Sequence, residues 1–199
     1  MWSVDNRFRR KWQDYGGCNA TLAEHSFIDV FSRLFTDTEY RVISKPTMFK
    51  QLYVNVELSP DVLNAIYTPS EQIDMHGIQP DGAITNTRTG KTIFVEIKRQ
   101  DGWVEGKPRS AGRGNAHERL CKYFTPGLLR KLREIGNIEA PNLPFWVVFQ
   151  GDITRDPCRV REITYWFDEY KANYFFWRNT KDPLSIIEHF ETQIAPLLE

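Results

Sequence analysis

Pro80-Asp81 and Glu96-Ile97-Lys98 place two carboxylates and one ammonium within reach of a single short hairpin. Glu96 and Lys98 are two residues apart on a predicted strand, so both point to the same face. Thr87-Arg88-Thr89-Gly90 supplies the turn, with glycine free to take a positive φ. With Asn86 paired to Lys91 across that turn, the register sets Asp81 opposite Glu96, with Cβ atoms roughly 5 Å apart. Two carboxylates at that separation repel unless positive charge sits between them. A hard divalent cation with oxygen ligands and several retained waters meets that demand. Lys98 beside the pair can orient a metal-bound water, help deprotonate it, or stabilise charge on a phosphate. The chemistry this permits is metal-assisted phosphodiester hydrolysis. The bare pattern also describes a surface strand carrying a Glu–Lys pair; the register and the basic loop that follows favour the catalytic reading.

That loop leads into a second constellation, Ser110-Ala111-Gly112-Arg113-Gly114-Asn115-Ala116-His117-Glu118-Arg119. A Gly-rich loop opening a helix offers free backbone N–H groups and a favourable dipole to an anion. Arginine can pair bidentately with guanine, asparagine with adenine, and an alanine methyl can touch the thymine methyl. An ordinary capped helix with Glu118 and Arg119 in surface pairs is the plainer alternative. His117 has no partner at metal-ligand spacing and reads as a packing or solvent-facing histidine. His25, His76 and His189 are isolated. Of the six tryptophans, only Trp103 falls in the polar loop where a ligand would be met.

Composition narrows the class. The 199 residues are 41% hydrophobic and 26% charged, which excludes disorder, collagen and coiled coil and fits one domain over residues 1–199. Net charge is zero, yet residues 88–133 hold twelve Lys/Arg against four acids, an excess of eight matched by an opposite excess elsewhere. A basic middle third in a neutral chain points to a local site for an anionic ligand. Cys18, Cys121 and Cys158 form no CxxC pair, which argues against a disulfide framework or a zinc site. No apolar run approaches a membrane span, and the first eleven residues lack the apolar stretch of a secretory signal, so a cytoplasmic location is expected. GxxxxGK[ST] and GxSxG are absent, leaving P-loop and α/β-hydrolase readings without support.

The elements that must position these residues follow from periodicity. Thr21-Leu22-Ala23-Glu24 is a capping box, and Ala23, Phe27, Val30, Phe31 and Leu34 continue a helix over about 21–35. Alternation at Leu52, Val54, Val56 and Leu58 predicts a strand, and Ser59-Pro60 a short helix through Tyr67. The hairpin spans 79–98, with Ile93, Val95 and Ile97 on one face and Phe94, Glu96 and Lys98 on the other. A helix from about Asn115 breaks near Pro126 and resumes through Ile135. Phe145–Phe149 reads as a buried strand, 156–174 as a helix begun by Asp156-Pro157, and Leu184–Leu198 as an amphipathic helix. This order predicts an α/β fold: a mixed sheet with helices on both faces, in which hairpin strand, helix and Phe145 strand form one crossover unit.

Pro80-Asp81, Val95–Lys107 and Ser110–Arg119, together with Phe145–Phe149, Gly151–Pro157 and Arg159–Thr164, resemble the EcoRI-like branch of the PD-(D/E)xK type II restriction endonucleases. The likeness spans about 20–177, is strongest over 93–164, and is weak at both ends. It implies the PD-(D/E)xK restriction-endonuclease-like core, a homodimer, and Mg²⁺-dependent cleavage of palindromic double-stranded DNA. Carried over position by position, Asp81, Glu96 and Lys98 become the catalytic set, with Asp81 and Glu96 as the metal ligands. Asn115, Ala116 and Arg119 become readers of an inner AATT, and Arg113 the reader of an outer C·G pair. Lys107, Arg109 and Gly114 are candidates for contact with the DNA backbone. The implied site is CAATTG, cut after the first C to leave 5′ AATT overhangs. Members that read GAATTC use an arginine from another segment, and no match to it is seen here. A companion DNA methyltransferase, as a separate protein, is implied as well. Two other classes stay open: a sequence-specific DNA-binding protein of this fold without cleavage, and a repair or structure-specific nuclease sharing the catalytic face.

Overall fold

The computed structural model describes residues 27–67, 73–100 and 117–199. Five strands form one mixed sheet whose spatial order equals chain order: β1 (Tyr40–Ser44), β2 (Gly82–Asn86), β3 (Thr92–Arg99), β4 (Phe145–Gln150) and β5 (Tyr174–Trp177). β1, β2 and β3 are antiparallel neighbours; β3, β4 and β5 run parallel. Parallel strands need a crossover, and β3 reaches β4 through a 3₁₀ helix, Glu118–Phe124, and the helix Pro126–Gly136, with the break at Thr125-Pro126. The predicted crossover unit is present.

The hairpin has the expected register, with Gly82 opposite Val95, Ala83 opposite Phe94 and Ile84 opposite Ile93. The Asn86 N–H donates to the Lys91 carbonyl at 3.0 Å, and Gly90 closes the turn with φ 74°. Period-2 alternation then sorts side chains between two cores. Ile93, Val95, Trp146 and Val148 pack with α1 (Phe27–Leu34) and the C-terminal helical segment on one face. Phe94, Phe145, Val147 and Phe149 pack with Leu120, Leu132, Ile163 and Phe167 on the other. The two faces are covered by helices, as expected; those on the second face include α3 (Pro126–Gly136) and α4 (Pro157–Phe167).

Local signals explain the helix starts. Ser59 caps α2 (Pro60–Ala65), its Oγ accepting from the Val62 N–H. Asp156 caps α4 by accepting from the Cys158 and Arg159 N–H groups at 2.9 and 3.3 Å. The final segment is helical throughout, as α5 (Leu184–His189), a π turn over Phe190–Ile194 and a 3₁₀ turn over Ala195–Leu198.

Two expectations are corrected, and one element was not expected. The alternating stretch 52–58 is not a strand. The N–H groups of Lys50, Leu52, Val54 and Val56 donate to carbonyls three residues back, giving successive turns, and Val56 and Leu58 are left exposed. The turns begin hard against Gly77, where a Cβ would lie 1.9 Å from the Phe49 carbonyl oxygen. The helix begun at Pro157 ends at Phe167, not 174, because Asp168 turns to φ 42°. Asn173 then donates its side-chain amide to the Leu143 and Phe145 carbonyls at 3.1 and 2.8 Å, which docks 174–177 as β5 beside β4. β1, a five-residue edge strand, has no counterpart in the sequence reading. The residues 21–26 of the first predicted helix lie outside the described residues.

Candidate active site

The ladder between β2 and β3 stops at Gly82–Val95, and one residue earlier the Asp81 side chain takes over the pairing. Its Oδ2 accepts the Ile97 N–H at 2.7 Å, while its own carbonyl accepts the Lys45 N–H at 3.0 Å. The carboxylate is thereby pinned to the backbone of β3 between Glu96 and Lys98. Glu96 is nearly buried, at 7% side-chain exposure, and Lys98 stands at 16%. Lys98 Nζ donates to Glu96 Oε1. The Tyr123 hydroxyl, from the 3₁₀ helix, donates to Glu96 Oε2 at 2.7 Å. The three residues singled out by spacing are therefore gathered at one end of β3, on the face predicted for Glu96 and Lys98.

Burial pushes the Asp81 carboxyl above its ordinary range; the Ile97 N–H opposes this, the charge on Glu96 adds to it, and Lys98 and Lys122 oppose it. Two carboxylates in mutual repulsion are a donor set that suits a hard divalent cation. Among the described residues no group of three or more Asp, Glu, His or Cys forms a metal cluster, so Asp81 and Glu96 are the side chains of this site able to hold such an ion, with water and backbone completing its shell. Tyr123 sits on the same side: burial first, then Glu96, hold its phenol far above the usual tyrosine range, so it stays a hydrogen-bond donor.

Of the residues assigned to base reading, Arg119 is exposed on the 3₁₀ helix Glu118–Phe124. Arg113, Asn115 and Ala116, and the backbone candidates Lys107, Arg109 and Gly114, lie outside the described residues, as does Trp103. The sequence reading missed two neighbours of the site, Tyr123 and Lys122. Lys122 Nζ stands 5.1 Å from the Tyr123 ring centre, and its charge reaches Asp81. Nothing in a local motif marks either one. The available signal is position: both follow the Arg119 segment on the element that crosses over β3.

His117 takes the packing role. It is fully buried, stacked on Trp166 with centroids 5.4 Å apart and planes at 13°, and its Nε2 lies 3.2 Å from Glu162 Oε2. Burial pushes its pKa down, with the Arg159 charge adding and Glu162 and Glu118 opposing; burial also lowers that of His189 against the pull of the Ala172 carbonyl. Both histidines thus bind protons more weakly folded than unfolded. Stability from this source is complete above the unfolded pKa of about 6.5 and drains away as pH falls below it. The expected result is a falling thermal midpoint between pH 7.5 and 5.5. The double variant His117→Gln/His189→Gln should flatten that slope, which calorimetry across the same range checks.

The family model described as Type II restriction enzyme MunI matches residues 1–199. A type II restriction enzyme MunI from Mycoplasma sp is 50% identical over 194 residues, covering 96% of this chain and 96% of that protein. The crystal structure of MunI restriction endonuclease in complex with cognate DNA superposes with a TM-score of 0.85 at 50% identity, covering 94% of this chain and 97% of that chain. The mixed sheet with Asp81, Glu96 and Lys98 at one end of β3 is accordingly the PD-(D/E)xK restriction-endonuclease fold, and the chain belongs to the MunI family of type II restriction enzymes.

Proposed function

We propose that this chain is a Mg²⁺-dependent endonuclease that cuts palindromic double-stranded DNA at CAATTG after the first C, leaving 5′ AATT overhangs with 5′-phosphates. The observation that carries the reading is the docking of Asp81 on the Ile97 N–H, beside Glu96 and Lys98. It is supported by 50% identity to an enzyme whose structure was solved with cognate DNA. Asp81 and Glu96 are the residues that would hold the metal. When bound, Mg²⁺ lowers the pKa of its water and neutralises charge building on the phosphate oxygens. Lys98, held on Glu96 as an ammonium, orients the attacking water and stabilises the hydroxide formed as the water's proton passes to solvent. Attack in line breaks the bond to the 3′ oxygen and leaves the phosphate on the 5′ side.

Asn115, Ala116 and Arg119 read the inner AATT, and Arg113 the outer C·G pair; Lys107, Arg109 and Gly114 contact the DNA backbone. The excess of positive charge across 88–133 supports this assignment. A homodimer of single-domain subunits sets one site on each strand, since a palindromic site mirrors two-fold symmetry. The enzyme works in a prokaryotic cytoplasm alongside a methyltransferase that protects host sites. No helix of the described residues is long and apolar enough to cross a membrane.

Digestion of a linear duplex carrying one CAATTG and one GAATTC, with Mg²⁺ and with EDTA, tests this. Metal-dependent cuts at CAATTG alone are expected. Cuts at both sites would mean that the outer pair is unread. Specific binding without any cut would reduce the protein to a binding module.

A further inference from the structure

We propose that Tyr123 is a positioning residue that ties base recognition to catalysis by holding Glu96 through its hydroxyl. The inference rests on the nuclease reading above and adds a residue to it. Glu96 has two carboxylate oxygens and both are engaged: Oε1 by Lys98 and Oε2 by Tyr123 at 2.7 Å. Lys98 belongs to the same strand and moves with Glu96. Tyr123 does not. It stands four residues after Arg119 on the 3₁₀ helix Glu118–Phe124, so its hydroxyl reports where that helix lies.

The helix is held at both ends. At its start His117 is fully buried against Trp166. Near its finish the Tyr123 ring is 1% exposed, with its centroid 5.3 Å from that of Phe145 on β4. A short element packed at both ends transmits strain placed on Arg119 along its length. When Arg119 meets the correct bases, the helix settles and the hydroxyl holds the Glu96 carboxylate in one orientation. A wrong base displaces Arg119, and the displacement passes to Glu96 through a charge-assisted hydrogen bond, a contact that tolerates little stretching.

Tyr123→Phe removes the hydroxyl and keeps the ring against Phe145. Single-turnover cleavage is measured for wild type and variant at CAATTG and at sites altered by one base pair, across a Mg²⁺ titration, with thermal midpoints alongside. The variant is expected to cut CAATTG about 10- to 100-fold more slowly, the scale at which a misplaced reacting group costs rate. It should also need more Mg²⁺ for half-maximal rate. Altered sites should slow far less, so discrimination shrinks. Equal slowing at all sites would assign Tyr123 to packing alone and overturn the inference.

A second comparison does not depend on the fold of the single variant. In a Glu96→Gln background, where the hydroxyl has no carboxylate at residue 96 to hold, adding Tyr123→Phe should leave specific binding to CAATTG in EDTA unchanged. Loss of that binding would place Tyr123 in recognition itself and overturn the inference. Wild type that shows no preference for any site would instead defeat the nuclease reading, a result separable from either of these.

Discussion

Asp81→Ala is expected to lower cleavage at CAATTG by at least about 10³-fold while specific binding to that site persists, since removing a metal ligand forfeits several kcal/mol of transition-state stabilisation. The structure separates this loss from a folding defect. Among the described residues Asp81 makes one side-chain hydrogen bond, to the Ile97 N–H, and it is crowded by the charge of Glu96. Truncation leaves that N–H unpaired, at about 1–3 kcal/mol, and relieves the repulsion, so the two effects oppose. Asp81→Asn sharpens the test, because its amide oxygen still accepts from Ile97 while the anionic ligand is gone. It should hold the wild-type thermal midpoint and still fail to cut. Single-turnover rates in Mg²⁺ and gel shifts in Ca²⁺ read the two quantities separately. Binding lost together with cleavage would mean that Asp81 shapes the DNA surface, and an active Asn variant would remove it from the metal site.

The corner proposed as catalytic was legible in the sequence because it depends on local rules. A four-residue turn with Gly90 fixes the register of β2 and β3, and period 2 then fixes which side chains share a face. From these alone Asp81, Glu96 and Lys98 converge, and the structure adds that Asp81 reaches β3 through its side chain at the end of the ladder. What the sequence hid depends on non-local partners. Leu52, Val54, Val56 and Leu58 carry the alternation of a strand, but their backbone bonds close within the segment, and among the described residues no neighbouring strand pairs with them. The predicted helix runs on to 174, the first residue of β5, until Asn173 is seen clamped to two carbonyls thirty and twenty-eight residues away. Tyr123 belongs to the same class. No spacing rule links it to Glu96, twenty-seven residues earlier; only the crossover over β3 does.

Trp146→Ala is the change expected to cost the fold most. Trp146 is fully buried near the start of β4, paired in register with Val95. Its ring meets Phe27 at 5.3 Å and Phe31 at 5.8 Å edge-on, and stacks on His189 at 5.5 Å. It therefore joins α1, β4 and the C-terminal helical segment. Truncating a buried tryptophan to alanine costs about 3–5 kcal/mol, since the surrounding rings cannot collapse into the space. Against a total stability of about 5–15 kcal/mol that is a large share. For a chain of this length it should lower the thermal midpoint by roughly 10 °C. Trp146→Phe should cost far less, and for a specific reason. The Nε1–H is buried with no hydrogen-bond partner among the described residues, so phenylalanine deletes an unpaired donor while keeping an aromatic ring in the cluster. The two variants also separate fold from chemistry. Trp146 lies on the sheet face opposite Glu96 and touches none of the catalytic side chains, so at low temperature each variant should cut at the wild-type rate per folded molecule. A rate that falls in Trp146→Phe while its thermal midpoint holds would show that packing behind β3 tunes the position of Glu96, and the two faces of the sheet would have to be treated as one coupled unit.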